Sequence, residues 1–243
     1  MSGISVIFPA YNEDMNIASA MERALDAMRG LGRDFEIIIV NDRSTDATGK
    51  IADDLATVHR EIRVVHNPRN MGSGASVVQG FQQARFELMI HNAMDYPFDL
   101  RDLPKLLQYC GEADIISAAR TARPGYSRYR KLTSVVHKRL LHLLFPLKLS
   151  DYNFTQLYSR AVWDAIRVEA RSTAFLTPEA MIRAYDMGYR VKEVAIEYHP
   201  RLAGEATSGK PKVILHTLRD MFSFWWKRLL RRTPQLRDTR IQS

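Results

Sequence analysis

Two stretches decide the fold: Ile4-Ser5-Val6-Ile7-Phe8-Pro9-Ala10-Tyr11-Asn12-Glu13 and Phe35-Glu36-Ile37-Ile38-Ile39-Val40-Asn41-Asp42-Arg43-Ser44-Thr45-Asp46. Each is a short β-branched or aromatic run that gives way abruptly to polar residues, which reads as the strands Ile4–Pro9 and Glu36–Val40 with a functional loop after each. Between them Met15–Leu31 has helical periodicity. Working outward, helix Ala47–His59, strand Ile62–His66, helix Gly74–Ala84 and strand Glu87–His91 complete a βαβαβαβ series. Helical crossovers impose a mostly parallel sheet covered on both faces, so the expected class is α/β, Rossmann-like. Polar residues follow every strand: Tyr11-Asn12-Glu13, Asn41-Asp42-Arg43-Ser44, Asn67-Pro68-Arg69-Asn70, and Asn92 to Asp99. Open α/β sheets bind ligands at the carboxyl ends of their strands, so these loops are expected to line one crevice.

The second half opens with a strand at Ile115-Ile116-Ser117-Ala118. From Ile115 to Ser150 there are eight Lys or Arg and no Asp or Glu. Within that run Tyr129–Leu144 reads as a basic amphipathic helix, and Val213–Arg232 as a second, carrying Phe222, Trp225 and Trp226 and ending in basic residues. Between them the pattern predicts a helix over Leu157–Val168, another from Pro178 through Met187, a strand Arg190–His199 and a polar loop Pro200–Lys212. Pro234–Ser243 reads as a frayed tail.

The 243 residues, 46% hydrophobic and 26% charged, suit a globular domain and exclude disordered or fibrous classes. A single cysteine, Cys110, excludes a disulfide framework or zinc cluster within one chain and fits a reducing cytoplasm. The opening residues lack the basic and apolar regions of a signal peptide, and no run approaches the ~18 apolar residues of a membrane span. The net charge of +8 favours an anionic partner: nucleic acid, acidic lipid or a phosphorylated substrate. No nucleic-acid module is visible, and the aromatic content of the last helix points toward lipid headgroups.

An aromatic ring, an amide and carboxylates at adjacent strand ends suit a nucleobase with its ribose. Helix capping by Asn12 and Ser44 is the alternative. Pro9-Ala10-Tyr11-Asn12-Glu13, Val40-Asn41-Asp42-Arg43-Ser44-Thr45-Asp46 and Arg69-Asn70-Met71-Gly72-Ser73-Gly74 together resemble the P-x-Y-N-E, V-D-D-x-S-T-D and R-N-x-G-x-G blocks of the inverting GT-A glycosyltransferases of family 2. Within that family the chain is similar to the dolichyl- or polyprenyl-phosphate mannose and glucose synthases. The resemblance extends through Phe175-Leu176-Thr177-Pro178-Glu179, Tyr189–Val194 and Arg201–Thr207. Nucleotidyltransferases share the topology but open with a glycine-rich loop where this chain has Tyr11-Asn12-Glu13.

The resemblance implies a GT-A domain over 1–210, split into a nucleotide-sugar half (1–110) and an acceptor half (111–210), with a basic helix and tail over 211–243. It implies a sugar transferred from a nucleoside diphosphate, UDP favoured and GDP-mannose open, to a polyprenyl phosphate or other membrane-associated glycan acceptor. Pro9, Tyr11, Glu13, Asp42, Arg69, Gly72, Gly74 and Asn92 are implied nucleotide contacts, with Asp42 on the N–H of the base. The family's D-x-D, which brings Mg²⁺ or Mn²⁺ to the diphosphate, here reads Asn92-Ala93-Met94-Asp95. Either Asp95 takes the metal by a local shift, or cations replace it, or the site binds without catalysis. Glu179 is the implied base for a hydroxyl acceptor, with a plain helix carboxylate as alternative. Arg201 is the implied cation of a lid, and Arg120, Arg123, Arg128 and Arg130 an acceptor-phosphate clamp. The two basic helices are expected on the anionic inner face of a membrane, or else packed on the domain or on a second copy of the chain.

Overall fold

The computed structural model describes residues 2–122, 127–170, 172–197 and 211–231. Strands β1 (Ile4–Ala10), β2 (Phe35–Asn41), β3 (Ile62–His66), β4 (Leu88–His91), β5 (Ile115–Arg120), β6 (Thr155–Ser159) and β7 (Val191–Ile196) form one sheet. Its order is β3-β2-β1-β4-β6-β5-β7. The pairs β1–β2, β1–β4, β2–β3 and β5–β7 are parallel, and β6 runs antiparallel between β4 and β5. The expected fold class is what the chain adopts.

Helices α1 (Ile17–Arg29), α2 (Thr48–Val58) and α4 (Leu103–Leu107) cover one face. Helix α1 turns Ile17, Ala20, Met21, Ala24, Leu25 and Met28 inward, a three- and four-residue stripe. The other face carries α3 (Ser73–Gln83), the end of α5 (Arg128–Leu144), α6 (Arg160–Ala165), α7 (Thr173–Asp186) and α8 (Pro211–Arg231). Helix α3 lies close on the sheet because residue 80 is glycine, where a Cβ would stand 2.4 Å from Ile7.

The strand edge at the crevice is stepped. Ala10 pairs with Asn41 and Asn41 with His66, whereas β4 ends at His91, opposite Ile7. The loop from Asn92 therefore leaves the sheet below the other three and rises beside them.

Two sequence expectations change, and for the last helix the packed alternative holds on one face. The run read as a helix from Leu157 is β6 followed by the short α6; Leu157 and Tyr158 are fully buried between two strands, and pairing overrides helical spacing. Helix α7 begins at Thr173 rather than after Pro178, since burial of Phe175 and Leu176 draws the preceding turn into it despite the lost hydrogen bond at the proline. The face of α8 with Thr217, Met221 and Phe224 packs on the domain, where Lys227 pairs with Glu169 and Arg228 with Asp186. The strand expected at Arg190–His199 is β7 over Val191–Ile196; the loop expected at Pro200–Lys212 lies outside the described residues up to Lys210, with α8 starting at Pro211, and the tail Pro234–Ser243 lies outside them as well.

Arg120 ends β5 in an ion pair, not in a phosphate clamp. Its Nε and Nη2 donate to Asp151 at 2.5 and 2.8 Å, and both side chains are nearly buried. Glu193 accepts from the Ser150 and Asp151 amides, so the basic run meets its acids just beyond its own end and on β7. Breaking a buried pair strands a charge. Arg120→Ala is expected to lower unfolding free energy by about 3–5 kcal/mol in urea titrations; a clamp whose job lay in ligand binding would leave stability near wild type.

Candidate functional site

The loops after β1 and β2 are laced into one unit. Asn12, at φ 54°, donates its amide to Ser44 Oγ at 3.1 Å and accepts the Thr45 amide on Oδ1 at 2.9 Å. The Glu13 amide donates to Thr48 Oγ1 at 2.7 Å, and Asp46 Oδ1 accepts the Thr48 amide at 2.9 Å. Asparagine tolerates the left-handed backbone that this crossing needs. Neither Asn12 nor Ser44 is a helix cap; those positions fall to Asn16 and Ala47. Tyr11 stands at the rim, 47% exposed, with Pro9 half-buried behind it in β1 and Glu13 accepting from Asn16 Nδ2.

Asp42 does something other than face a base. Its side chain is 2% exposed. Oδ1 accepts from Asn67 Nδ2 and the Met71 amide at 2.8 Å each, and Oδ2 accepts from the Gly72 amide at 2.7 Å. Asn67 also donates to Ser76 Oγ on α3. The loop Arg69–Gly74 is thus wound around an internal carboxylate at the α3 N-terminus, where the helix dipole favours an anion. Gly72, at φ 87°, supplies the backbone bend, Gly74 is buried in the first helical turn and Arg69 is exposed at the edge. The Met71 and Gly72 amides are taken by this carboxylate.

Asn41 escaped the sequence reading. It ends β2 nearly buried, accepting the Ser44 amide on Oδ1 and donating from Nδ2 to His66 Nδ1. The signal was present as an amide where the V-D-D block has its first carboxylate.

In the fourth loop Asn92 is buried, donating from Nδ2 to the Phe98 carbonyl at 2.8 Å and accepting the Ala93 amide. It closes the loop on itself. Met94 is buried in the core on the α1 side, and Asp99 is held by the Arg101 guanidinium and amide. Asp95 stands half-buried between them. Burial holds the His91 imidazole down to about 4, and it packs edge-on against Phe81. Among the described residues no three His, Cys, Asp or Glu converge. An amide committed to the loop, a buried thioether and one carboxylate do not fit a D-x-D site for a hard divalent ion.

On the acceptor side Glu179 is 1% exposed inside α7. Its oxygens accept from the Glu169 and Ala170 amides and from Arg183 Nε, so it ties the segment before α7 to the helix and is no base open to an acceptor. Arg128 is exposed and Arg130 half-buried in the first turn of α5. Arg123 and Arg201 lie outside the described residues.

The carboxyl edge of the parallel strands β1 to β4, with its laced loops, is the ligand-binding crevice of an open α/β sheet. Residues 5–167 match the profile of glycosyl transferase family 2, and the chain belongs to that family. It is 28% identical to glycosyltransferase AglD of Haloferax volcanii over a 240-residue alignment that covers 94% of this chain and 38% of that protein. It is 29% identical to undecaprenyl-phosphate 4-deoxy-4-formamido-L-arabinose transferase of Pectobacterium atrosepticum, over 71% of this chain and 54% of that one. This chain therefore spans about half or less of those relatives. Among solved structures, glucosyl-3-phosphoglycerate synthase of Mycobacterium tuberculosis, in complex with Mn²⁺ and UDP-glucose, superposes with a TM-score of 0.71 at 20% identity, over 93% of this chain and 79% of that one. That likeness concerns the fold.

Asp42→Ala leaves three buried or half-buried donors without their acceptor and is expected to destabilise by about 3 kcal/mol, read as a lower melting temperature. A residue acting only on a base would leave the melting temperature unchanged. Excess EDTA is expected to alter UDP affinity by less than about threefold; a larger loss that Mn²⁺ restores would show a metal site built differently.

Proposed function

We propose that the protein moves a sugar from a nucleoside diphosphate, UDP in the first instance, to a lipid phosphate at a membrane surface. The observation that carries this reading is the pairing of the crevice with two exposed apolar stripes on basic helices. On α5 only Leu141 is buried, while Tyr129, Leu132, Val136 and Leu143 face solvent, Leu143 at 80% exposure. On α8 Leu215, Phe222, Trp226 and Leu230 form a stripe opposite the packed one, Trp226 at 58%. The helices meet where Phe145, just after α5, packs at 5.6 Å from Phe224. No described helix is long and apolar enough to cross a membrane. Apolar stripes rimmed by Lys131, Lys138, Arg139 and Arg219 suit the boundary of an anionic bilayer, with the cations at headgroup level. Trp225, by contrast, packs on the core, and Lys227 and Arg228 are spent on the domain.

The relatives' names support the acceptor class: besides the undecaprenyl-phosphate transferase, dodecaprenyl-phosphate galacturonate synthase of Rhizobium johnstonii is 27% identical over 92% of this chain. UDP is supported by the mycobacterial synthase, one structure of which holds Mn²⁺, UDP and glucosyl-3-phosphoglycerate.

In this reading an acceptor phosphate oxygen attacks the anomeric carbon as the bond to the diphosphate oxygen breaks, and the nucleoside diphosphate leaves with the electron pair. A phosphate is already ionised near neutral pH and needs no general base, which agrees with Glu179 being committed to α7. The protein's work is then placement and stabilisation of the leaving charge. Tyr11, Pro9 and Glu13 flank the nucleoside, Arg69 and the cation Arg201 serve the diphosphate, Asp95 borders the reacting sugar, and Arg128 with Arg130 meets the acceptor. The degenerate fourth loop favours one second reading, a nucleotide-sugar binder without transfer.

Incubation with UDP-sugars and undecaprenyl phosphate in phosphatidylglycerol vesicles is expected to yield sugar that partitions into solvent with the lipid. Nucleotide binding without that product would select the second reading. Trp226→Ala with Phe222→Ala is expected to weaken vesicle binding about tenfold, with further loss in salt; undiminished binding would remove α8 from the membrane.

A further inference from the structure

The laced loops are tied to the end of β3 and to α2 by a hydrogen-bond chain. Asp53 Oδ1 on α2 lies 3.0 Å from His66 Nε2, and His66 Nδ1 lies 2.9 Å from Asn41 Nδ2. Asn41 Oδ1 accepts the Ser44 amide at 3.0 Å, Ser44 Oγ accepts the Asn12 amide at 3.1 Å, and Asn12 Oδ1 accepts the Thr45 amide at 2.9 Å. The direction of the chain is set by the backbone. The Ser44 amide can only donate, so the Asn41 oxygen faces it and the Asn41 NH₂ faces His66. Nδ1 must then be the bare acceptor, which puts the imidazole proton on Nε2, where Asp53 takes it. The chain also has room made for it: a Cβ on Gly49 would stand 2.8 Å from Asn41 Nδ2 and 3.8 Å from His66 Cε1.

We propose that His66 is a positioning residue for the nucleotide site. Its unprotonated Nδ1 orients the Asn41 carboxamide and, through Ser44 and Asn12, sets the backbone that carries Tyr11. The inference rests on the nucleotide reading of the crevice and adds what holds its first two loops in place. A second proton on His66 sets Nδ1–H against the Asn41 NH₂. Turning the carboxamide over only moves the conflict to the Ser44 amide, so either way one link is lost and the left-handed Asn12 is released. Asp53, from α2, is the charged group in contact with His66 among the described residues, and Asn41, from β2, is its neutral partner.

Substitution separates this from a packing role. His66→Asn places an amide oxygen near the former Nδ1 and keeps the link to Asn41. His66→Gln carries its amide toward the former Nε2, and His66→Ala offers nothing. The measurements are calorimetric titration with UDP at pH 8 and hydrogen exchange at the Ser44 and Asn12 amides without ligand. Expected are a loss of about tenfold in UDP affinity and faster exchange at both amides for the Ala and Gln variants. The Asn variant should stay near wild type in both affinity and exchange. The proposal is overturned if His66→Ala binds UDP like wild type with exchange unchanged, or if the Asn and Gln variants behave alike. Wild-type protein that binds no UDP, while exchange still follows the substitutions, would support the chain and overturn the nucleotide reading beneath it.

Discussion

The mouth of the sheet depends on one carboxylate with three donors. Asp42 gathers Asn67 and the Met71 and Gly72 amides into a fixed loop, and Asn67 passes that order to Ser76 at the start of α3. An ionised carboxylate bonded by amides in a nearly dry setting is far stronger than the same contacts in water. It replaces the external anion that a helix N-terminus otherwise attracts. The Asn12–Ser44–Thr45 lacing then ties the first loop to the second, so three of the four loops move as one body.

That arrangement changes what the fourth loop must do. With the Met71 and Gly72 amides committed to Asp42, the proposed transfer would find no free amide from those two residues for its diphosphate, and the fourth loop holds Asn92 and Met94 where the family resemblance implies the carboxylates of a D-x-D. In the proposed reaction, charge on the leaving group would fall to arginines at the rim and to the approach of the acceptor. A phosphate acceptor suits such a site because it brings its own ionised oxygen.

The parallel part of the sheet was legible because β1, β2 and β4 are buried and carry mostly apolar runs, and β3 keeps Ile62, Val64 and Val65, each run cut off by polar residues at the crevice. Strand β3 was read with its true ends. The antiparallel β6 was not, because five residues between two strands carry no period that distinguishes them from a helical turn. Site residues divide along a similar line. Their presence at the carboxyl edge followed from spacing, but which way a side chain faces did not: Asp42 and Glu179 are turned inward by amides that only the folded chain brings near. Arg120 was read as a free cation because its partner, Asp151, lies one residue past the end of the basic run, on a segment that β6 brings back to the end of β5.

The claim on which the account turns is that the nucleoside sits at the carboxyl ends of β1 and β2. A crystal structure of the protein soaked with UDP tests it most directly. The account places the uracil ring beside Tyr11 and the laced Asn12–Thr45 loops, with the diphosphate directed toward the Asn92–Asp95 loop. Density for the nucleotide instead in the 360 Å³ cavity between α1 and α4, where Arg23, Asp99 and Arg101 converge, would contradict it.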